Sequence, residues 1–197
     1  MRIISGLYKN RNILAPKGDI ARPTASLLRE ALFNICQGYI GDAVFLDLFA
    51  GSGAMGLEAL SRGASKATFI DNTKECVRCI EANIEALGIE KQADVLMGNV
   101  FLLLERLIQR GRKFDMIYAD PPYDAVVKIK DEEIFYSGLV VKMVDEGNLL
   151  KDGGYLFIED SKQARQEIES LKTIEFVGTR AMGRSVLHTY KAVSSHA

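Results

Sequence analysis

Cysteine is scarce in this chain and odd in number, histidine is rarer still, and no apolar run is long. Each shortage removes a class of function. Three cysteines, Cys36, Cys76 and Cys79, do not make a disulfide framework. Cys76-Val-Arg-Cys79 has metal-knuckle spacing, yet only Cys36, His188 and His196 remain to complete a ligand set. The pair reads as two semi-buried thiols on a helix, and no metal is expected. No apolar stretch approaches the ~20 residues that span a bilayer. The start, Met1-Arg-Ile-Ile-Ser-Gly6, lacks the apolar core and cleavage site of a signal peptide. The expectation is a cytoplasmic protein without a membrane partner. Repeats and low-complexity tracts are also missing, and residues 194–197 read as a frayed tail.

What is present suits one domain with a short appendage: 197 residues, 48% hydrophobic and 26% charged. The net charge of −1 is spread unevenly. Residues 1–34 carry Arg2, Lys9, Arg11, Lys17, Arg22 and Arg29 against Asp19 and Glu30, six minus two, or +4. Phosphate recognition needs a local basic patch rather than a basic whole.

Arg2 to Gly6 and Arg11 to Ala15 read as short strands of a β-hairpin. Pro16 to Ala21 reads as a loop. Thr24 suits a helix N-cap, with Leu27, Leu28, Ala31, Leu32 and Ile35 following largely on one face. From Val44 onward, apolar runs alternate with helical segments. Val44 to Phe49, Ala67 to Ile70, Ala93 to Met97 and Phe114 to Ala119 read as strands. Met55 to Arg62, Lys74 to Leu87 and Phe101 to Gln109 read as helices between them. This alternation predicts a parallel sheet with right-handed crossovers. A strand over Tyr155 to Glu159, a helix near Gln163 to Leu171, and strands over Ile174 to Val177 and Val186 to Tyr190 complete the pattern. Only Gly178 to Ser185 separates the last two strands, which predicts an antiparallel hairpin. The fold class is therefore α/β: a Rossmann-like class I methyltransferase, with a seven-stranded mostly parallel sheet, an antiparallel C-terminal hairpin and an N-terminal β-hairpin. The expected domain bounds are residues 1–21 for the hairpin appendage and 22–193 for the methyltransferase domain.

Gly51-Ser-Gly53-Ala-Met-Gly56 follows a predicted strand and opens a predicted helix, the context of a cofactor-binding turn. Asp71 ends the next strand, where a carboxylate can grip ribose hydroxyls. The turn alone does not separate nicotinamide cofactors from S-adenosylmethionine, so an NAD-dependent oxidoreductase is a rival. Three features favour the latter cofactor. Asp47, four residues before Gly51, suits an ammonium and would repel pyrophosphate. No downstream segment offers a hydride-transfer acid. Asp120-Pro-Pro-Tyr123 ends the fourth strand of the series, where a methyltransferase holds its acceptor. Asn99 follows the third strand and suits either an adenine edge, with Val100 lining that pocket, or a helix cap.

An exocyclic amine on a nucleobase is a poor nucleophile because its lone pair is delocalised into the ring. Asp120 and the carbonyl of Pro121 can accept its two hydrogens and leave the lone pair aimed at an electrophile. Positioning of that kind supplies much of the rate of a bimolecular transfer. Pro121 and Pro122 stiffen the lip, and Tyr123 supplies a ring for a flipped base to stack on. Guanine N2, adenine N6 and cytosine N4 all satisfy this description, so a DNA amino-methyltransferase stays open on the motif alone. A protein glutamine methyltransferase fits less well, because its motif usually begins with Asn.

Over nearly its whole length the chain resembles the bacterial 16S rRNA (guanine(966)-N2)-methyltransferase family. The likeness runs through Arg2-Ile-Ile-Ser-Gly6, Arg22-Pro-Thr24, Arg29-Glu-Ala-Leu-Phe-Asn34, Asp47 to Gly56, Gly56-Leu-Glu-Ala-Leu-Ser-Arg-Gly-Ala64 and Asp120 to Tyr123. Two departures are Asp71, where Glu is frequent, and Lys9-Asn-Arg11 in place of a glycine-centred basic turn. The resemblance implies S-adenosylmethionine as methyl donor and a guanine of 16S rRNA in an assembling 30S particle as acceptor, with a monomer favoured. The expected catalytic residues are Asp120, Pro121, Pro122 and Tyr123. The expected cofactor contacts are Thr24, Asp47, Phe49, Gly51, Ser52, Gly53, Asp71, Asn72, Asn99 and Val100. Arg2, Lys9, Arg11 and Arg22 are expected to face RNA.

Overall fold

The structure, a computed structural model of the chain, describes residues 1–16, 23–129, 132–162 and 170–193. Of residues 23–25, 129 and 132 it describes the backbone alone. Arg22 and nearly all of the helix expected near Gln163 lie outside the described residues, as does the side chain of Thr24. No described helix is long and apolar enough to cross a membrane. The main sheet has seven strands, mostly parallel at one end and antiparallel at the other, and the chain forms two compact units, Met1–Leu103 and Leu104–Ala197.

The first unit holds α1 (Pro23–Ile35), β1 (Val44–Leu48), α2 (Ala54–Ser61), β2 (Lys66–Asp71), α3 (Lys74–Leu87) and β3 (Ala93–Met97). Strand β2 lies between β1 and β3, parallel to both, with Leu48 opposite Ile70 and Asp71 opposite Met97. Phe45, Leu46 and Leu48 of β1 and Phe69 and Ile70 of β2 are fully buried, so these strands are apolar on both faces. On α1 Leu28, Leu32 and Phe33 are buried, as is Cys36 just after the helix. Leu27, expected on the same face, is exposed instead.

The N-terminal hairpin is reduced to one antiparallel bridge, Arg2 to Asn12, closed by hydrogen bonds between Ile3 and both Asn10 and Arg11. The expected longer strands do not form because the segment's backbone groups find other partners. Ile4 and Ser5 donate to the two oxygens of Glu58 on α2. Leu7 and Tyr8 donate to Ser61, while Leu14 exchanges hydrogen bonds with Asn83 on α3.

The second unit contains most of α4 (Val100–Gln109), then β4 (Phe114–Ala119), β5 (Val126–Ile129), β6 (Glu132–Phe135), α5 (Tyr136–Glu146), β7 (Leu150–Ser161), β8 (Ile174–Met182) and β9 (Ser185–Ala192). Strand β7 runs parallel to β4, and β9 pairs antiparallel with both β7 and β8. The hairpin β5–β6 and helix α5 were not legible in the sequence. The helix buries Val140, Val141 and Val144, β-branched residues whose propensity does not favour helix. Strand β7 starts five residues before the expected Tyr155. The strand runs on through Asp152-Gly-Gly154, and its register with β4 shifts between Phe114 and Met116.

Candidate active site

The chain leaves β1 through Phe49, whose φ of 58° is uncommon for an aromatic residue. This twist lets Ala50 donate to the Ile70 carbonyl at 3.0 Å and starts the glycine turn. Gly53, at φ 76°, is the N-cap of α2. A side chain on Gly56 would land on the Phe69 ring, so the helix can approach β2 only with glycine there.

Two carboxylates pin this turn. Asp71 takes the Gly51 N–H on one oxygen at 2.9 Å, and the N–H and hydroxyl of Thr73 on the other. It therefore joins the turn to the cap of α3, for Thr73 Oγ1 accepts from Cys76. Asp47 is only 1% exposed and takes the Gly56 N–H at 2.9 Å. Burial pushes its carboxyl up to about 8, against the pull of the Gly56 N–H and with a further push from Asp71.

Ser52 is buried, and its carbonyl accepts from the Asn83 amide at 3.1 Å. Asn72 is exposed beside Asp71. Phe49 packs edge-on against Phe101 at 6.1 Å. Asn99 caps α4, accepting from Phe101 and Leu102 at 3.0 and 3.2 Å, and Val100 is buried behind it. The helix-cap alternative for Asn99 is thus the arrangement observed.

This half-site fits S-adenosylmethionine. A Cβ placed on Gly51 meets nothing within 4 Å, so the turn presents bare backbone to open space. The stretch from Asp47 to Gly56 supplies acceptors and contains no lysine or arginine, which suits an ammonium and a ribose better than a pyrophosphate.

In the second unit Asp120 leaves the buried end of β4 and is exposed, Pro121 is buried, and Pro122 is exposed. The Pro122 carbonyl accepts from Ala125, and Ala125 in turn accepts from Tyr136 at the start of α5. The hairpin β5–β6 therefore grows directly out of the motif. Tyr123 is 41% exposed, and its hydroxyl donates to Glu159 Oε1 at 2.8 Å. Tyr118, buried on β4, donates to Glu159 Oε2 at 2.9 Å. Partial burial and the charges of Asp120 and Glu159 hold the Tyr123 phenol well above its ordinary pKa, so it stays a donor. The result is a partly exposed ring held by its polar end.

The expected RNA-facing residues divide. Arg2, Lys9 and Arg11 are exposed, but Arg11 also donates to the Ala86 carbonyl near the C-terminal end of α3 at 2.9 Å. Arg29, counted in the basic N-terminal segment, is buried 3.7 Å from Glu58 and donates to the Arg2 carbonyl. It is a structural cation and adds nothing to a surface patch.

Three polar residues escaped the sequence reading: Glu58, Asn83 and Glu159. Glu58 is fully buried and gathers Ile4, Ser5, Arg29 and Arg62. Asn83 links Leu14 to the Ser52 carbonyl, joining the N-terminal segment to the glycine turn. A polar residue inside an amphipathic helix is an available signal for the first two. Nothing local marks Glu159, whose partners are 36 and 41 positions away.

The family profile described as conserved hypothetical protein 95 matches residues 1–191. YlbH of Bacillus subtilis is 32% identical over 91% of each chain. The Escherichia coli K12 ribosomal RNA small subunit methyltransferase D is 35% identical over 86% of this chain and 76% of its own length. The solved structure of Escherichia coli yhhF covers 99% of both chains at TM-score 0.78 and 27% identity. The chain belongs to the conserved hypothetical protein 95 family, together with the ribosomal RNA small subunit methyltransferases D.

Proposed function

We infer that the protein transfers the methyl group of S-adenosylmethionine to the exocyclic N2 of a guanine in 16S rRNA. One observation carries the reading beyond kinship: the acceptor motif is intact, and the Tyr123 ring is anchored at its hydroxyl by Glu159. Relatives bearing the name of small-subunit rRNA methyltransferase support the choice of RNA over DNA.

Asp47, Phe49, Gly51, Ser52, Gly53 and Asp71, with Asn72, Asn99, Val100 and Thr24, are the residues proposed to hold the cofactor. When bound, S-adenosylmethionine supplies an electrophilic methyl group on a sulfonium. The other tasks fall to the chain. The carboxylate of Asp120 and the carbonyl of Pro121 accept the two N2 hydrogens, which turns the nitrogen lone pair out of conjugation. The buried Pro121 fixes the direction of that carbonyl. Tyr123 stacks on the extruded base, and Glu159 keeps the ring from rotating. As the amine is alkylated its proton becomes acidic, and Asp120 is placed to take it.

In this reading Arg2, Lys9, Arg11 and Arg22 attract RNA phosphates, and the substrate is an assembling 30S particle met by a monomer in the cytoplasm. The proposed division into residues 1–21 and 22–193 assigns RNA contact to the first segment and chemistry to the second. The deciding experiment incubates the protein with methyl-labelled S-adenosylmethionine and 30S particles, free 16S rRNA or DNA, then identifies the modified nucleoside. N2-methylguanosine in rRNA is expected. N6-methyladenine, or label in DNA alone, would sink the reading.

A further inference from the structure

The carboxyl end of β7 and the turn between β8 and β9 bring three cations to one edge of the second unit. Lys162 directly follows Ser161, the last residue of β7, and Ser161 lies opposite Ser185 at the start of β9. Arg184 immediately precedes Ser185, and Arg180 on β8 lies opposite Leu187 on β9. Leu187 in turn lies opposite Glu159 on β7. Arg180, Leu187 and Glu159 thus form one cross-strand row, with neighbouring strands about 4.8 Å apart. Residues in register share a face, so Arg180 is on the face from which Glu159 holds Tyr123.

Lys162, Arg180 and Arg184 are all exposed, and none takes part in an ion pair among the described residues. Three lysines of the chain are paired: Lys66 with Asp94, Lys128 with Glu133 and Lys151 with Asp115. The acids next to the three cations are committed elsewhere. Glu159 receives two tyrosine hydroxyls, and Asp160 is buried and accepts from the Ser161 N–H.

We propose that Lys162, Arg180 and Arg184 form a phosphate-binding edge for the RNA strand that flanks the acceptor base. The proposal rests on the RNA-methyltransferase reading and adds a second recognition surface to the N-terminal one. Its logic is electrostatic and positional. A base extruded onto Tyr123 carries its own phosphates with it, and the exposed cations along this edge, Arg180 among them on the Glu159 face, are groups able to receive them. Two of the three are arginines, whose planar fork suits phosphate oxygens.

The test compares wild type with the Lys162→Ala/Arg180→Ala/Arg184→Ala variant and with an Arg180→Lys/Arg184→Lys variant that keeps the charge. Methyl transfer to 30S particles and particle affinity are measured across a salt series. In the alanine variant the slope of log affinity against log salt is expected to become shallower by about 2, at roughly 0.7 per lost contact. KM for the particle should rise, while kcat at saturation and S-adenosylmethionine affinity remain those of wild type. The lysine variant should recover most of the slope. An unchanged slope and KM in the alanine variant, with wild type still producing N2-methylguanosine, overturns this edge and leaves the function standing. Absence of RNA label from wild type overturns both.

Discussion

Tyr123 donates its phenol to Glu159 at 2.8 Å, and the second oxygen of the same carboxylate is held by the buried Tyr118 at 2.9 Å. A fixed core tyrosine on β4 therefore sets the carboxylate, and the carboxylate sets the exposed ring of the acceptor motif. Removing the link at either end should loosen the ring without unfolding the chain. Tyr123→Phe and Glu159→Gln are each expected to raise KM for rRNA more than they lower kcat. The loss for Tyr123→Phe should be about tenfold in kcat/KM, the value of one charge-assisted hydrogen bond. The double variant should be little worse than Tyr123→Phe alone. Additive losses would mean that Glu159 acts on something other than the ring.

Asp120 is exposed at the end of β4. Asp120→Ala should lower methyl transfer by about 10²–10⁴-fold, the range for a positioned proton acceptor. S-adenosylmethionine affinity, measured by calorimetry without RNA, should hold within about twofold, since the change leaves the cofactor residues intact. A matching loss of cofactor binding would move Asp120 into the cofactor site.

Asp47 supplies a pH signature. Its folded pKa, about 8, is raised above the ordinary carboxylate value chiefly by burial. A raised acid binds its proton more tightly when folded, so its contribution to stability is full below about pH 4 and is lost as pH climbs towards 8. Melting temperatures between pH 5 and 9 should show wild type losing ground to Asp47→Asn as pH rises. If Asp47 faces the cofactor's ammonium, binding near pH 7 releases a proton from wild type and none from Asp47→Asn. Calorimetry in buffers of different ionisation enthalpy reads that proton, and equal release from both proteins would exclude the contact.

Asp145 predicts the opposite slope. Burial raises its pKa, but the N–H groups of Thr173, Lys172 and Ile174 outweigh that and leave the carboxyl below its usual value. Its stabilisation is present above about pH 4 and disappears as pH falls through the lowered folded value. Asp145→Ala should cost about 3 kcal/mol at pH 7, since three N–H donors, that of buried Ile174 among them, lose their acceptor. Denaturant titrations should show the gap narrowing towards pH 3, and a gap constant with pH would contradict the arrangement.

Periodicity found the elements whose residues carry their own signal. The bounds of α3, β3 and β4 are those expected, because each is an uninterrupted amphipathic or apolar run between clear breaks. The region from Val126 to Glu146 escaped because its short hairpin has few alternations and its helix is valine-rich. Arg29 misled the charge reading for a related reason: composition counts a cation without knowing that Glu58 buries it.

By itself the sequence determined the two motifs, the glycine turn with Asp47 and Asp71 and the acceptor stretch Asp120 to Tyr123, because their chemistry depends on residue type at short spacing. Tertiary structure alone decided what holds them. Asp71 grips Gly51 from 20 positions away, Asn83 reaches the Ser52 carbonyl, and Glu159 fixes Tyr123 from another strand. These contacts join residues that are remote along the chain. Their geometry is set by strand register and helix packing, which no local pattern of side chains encodes.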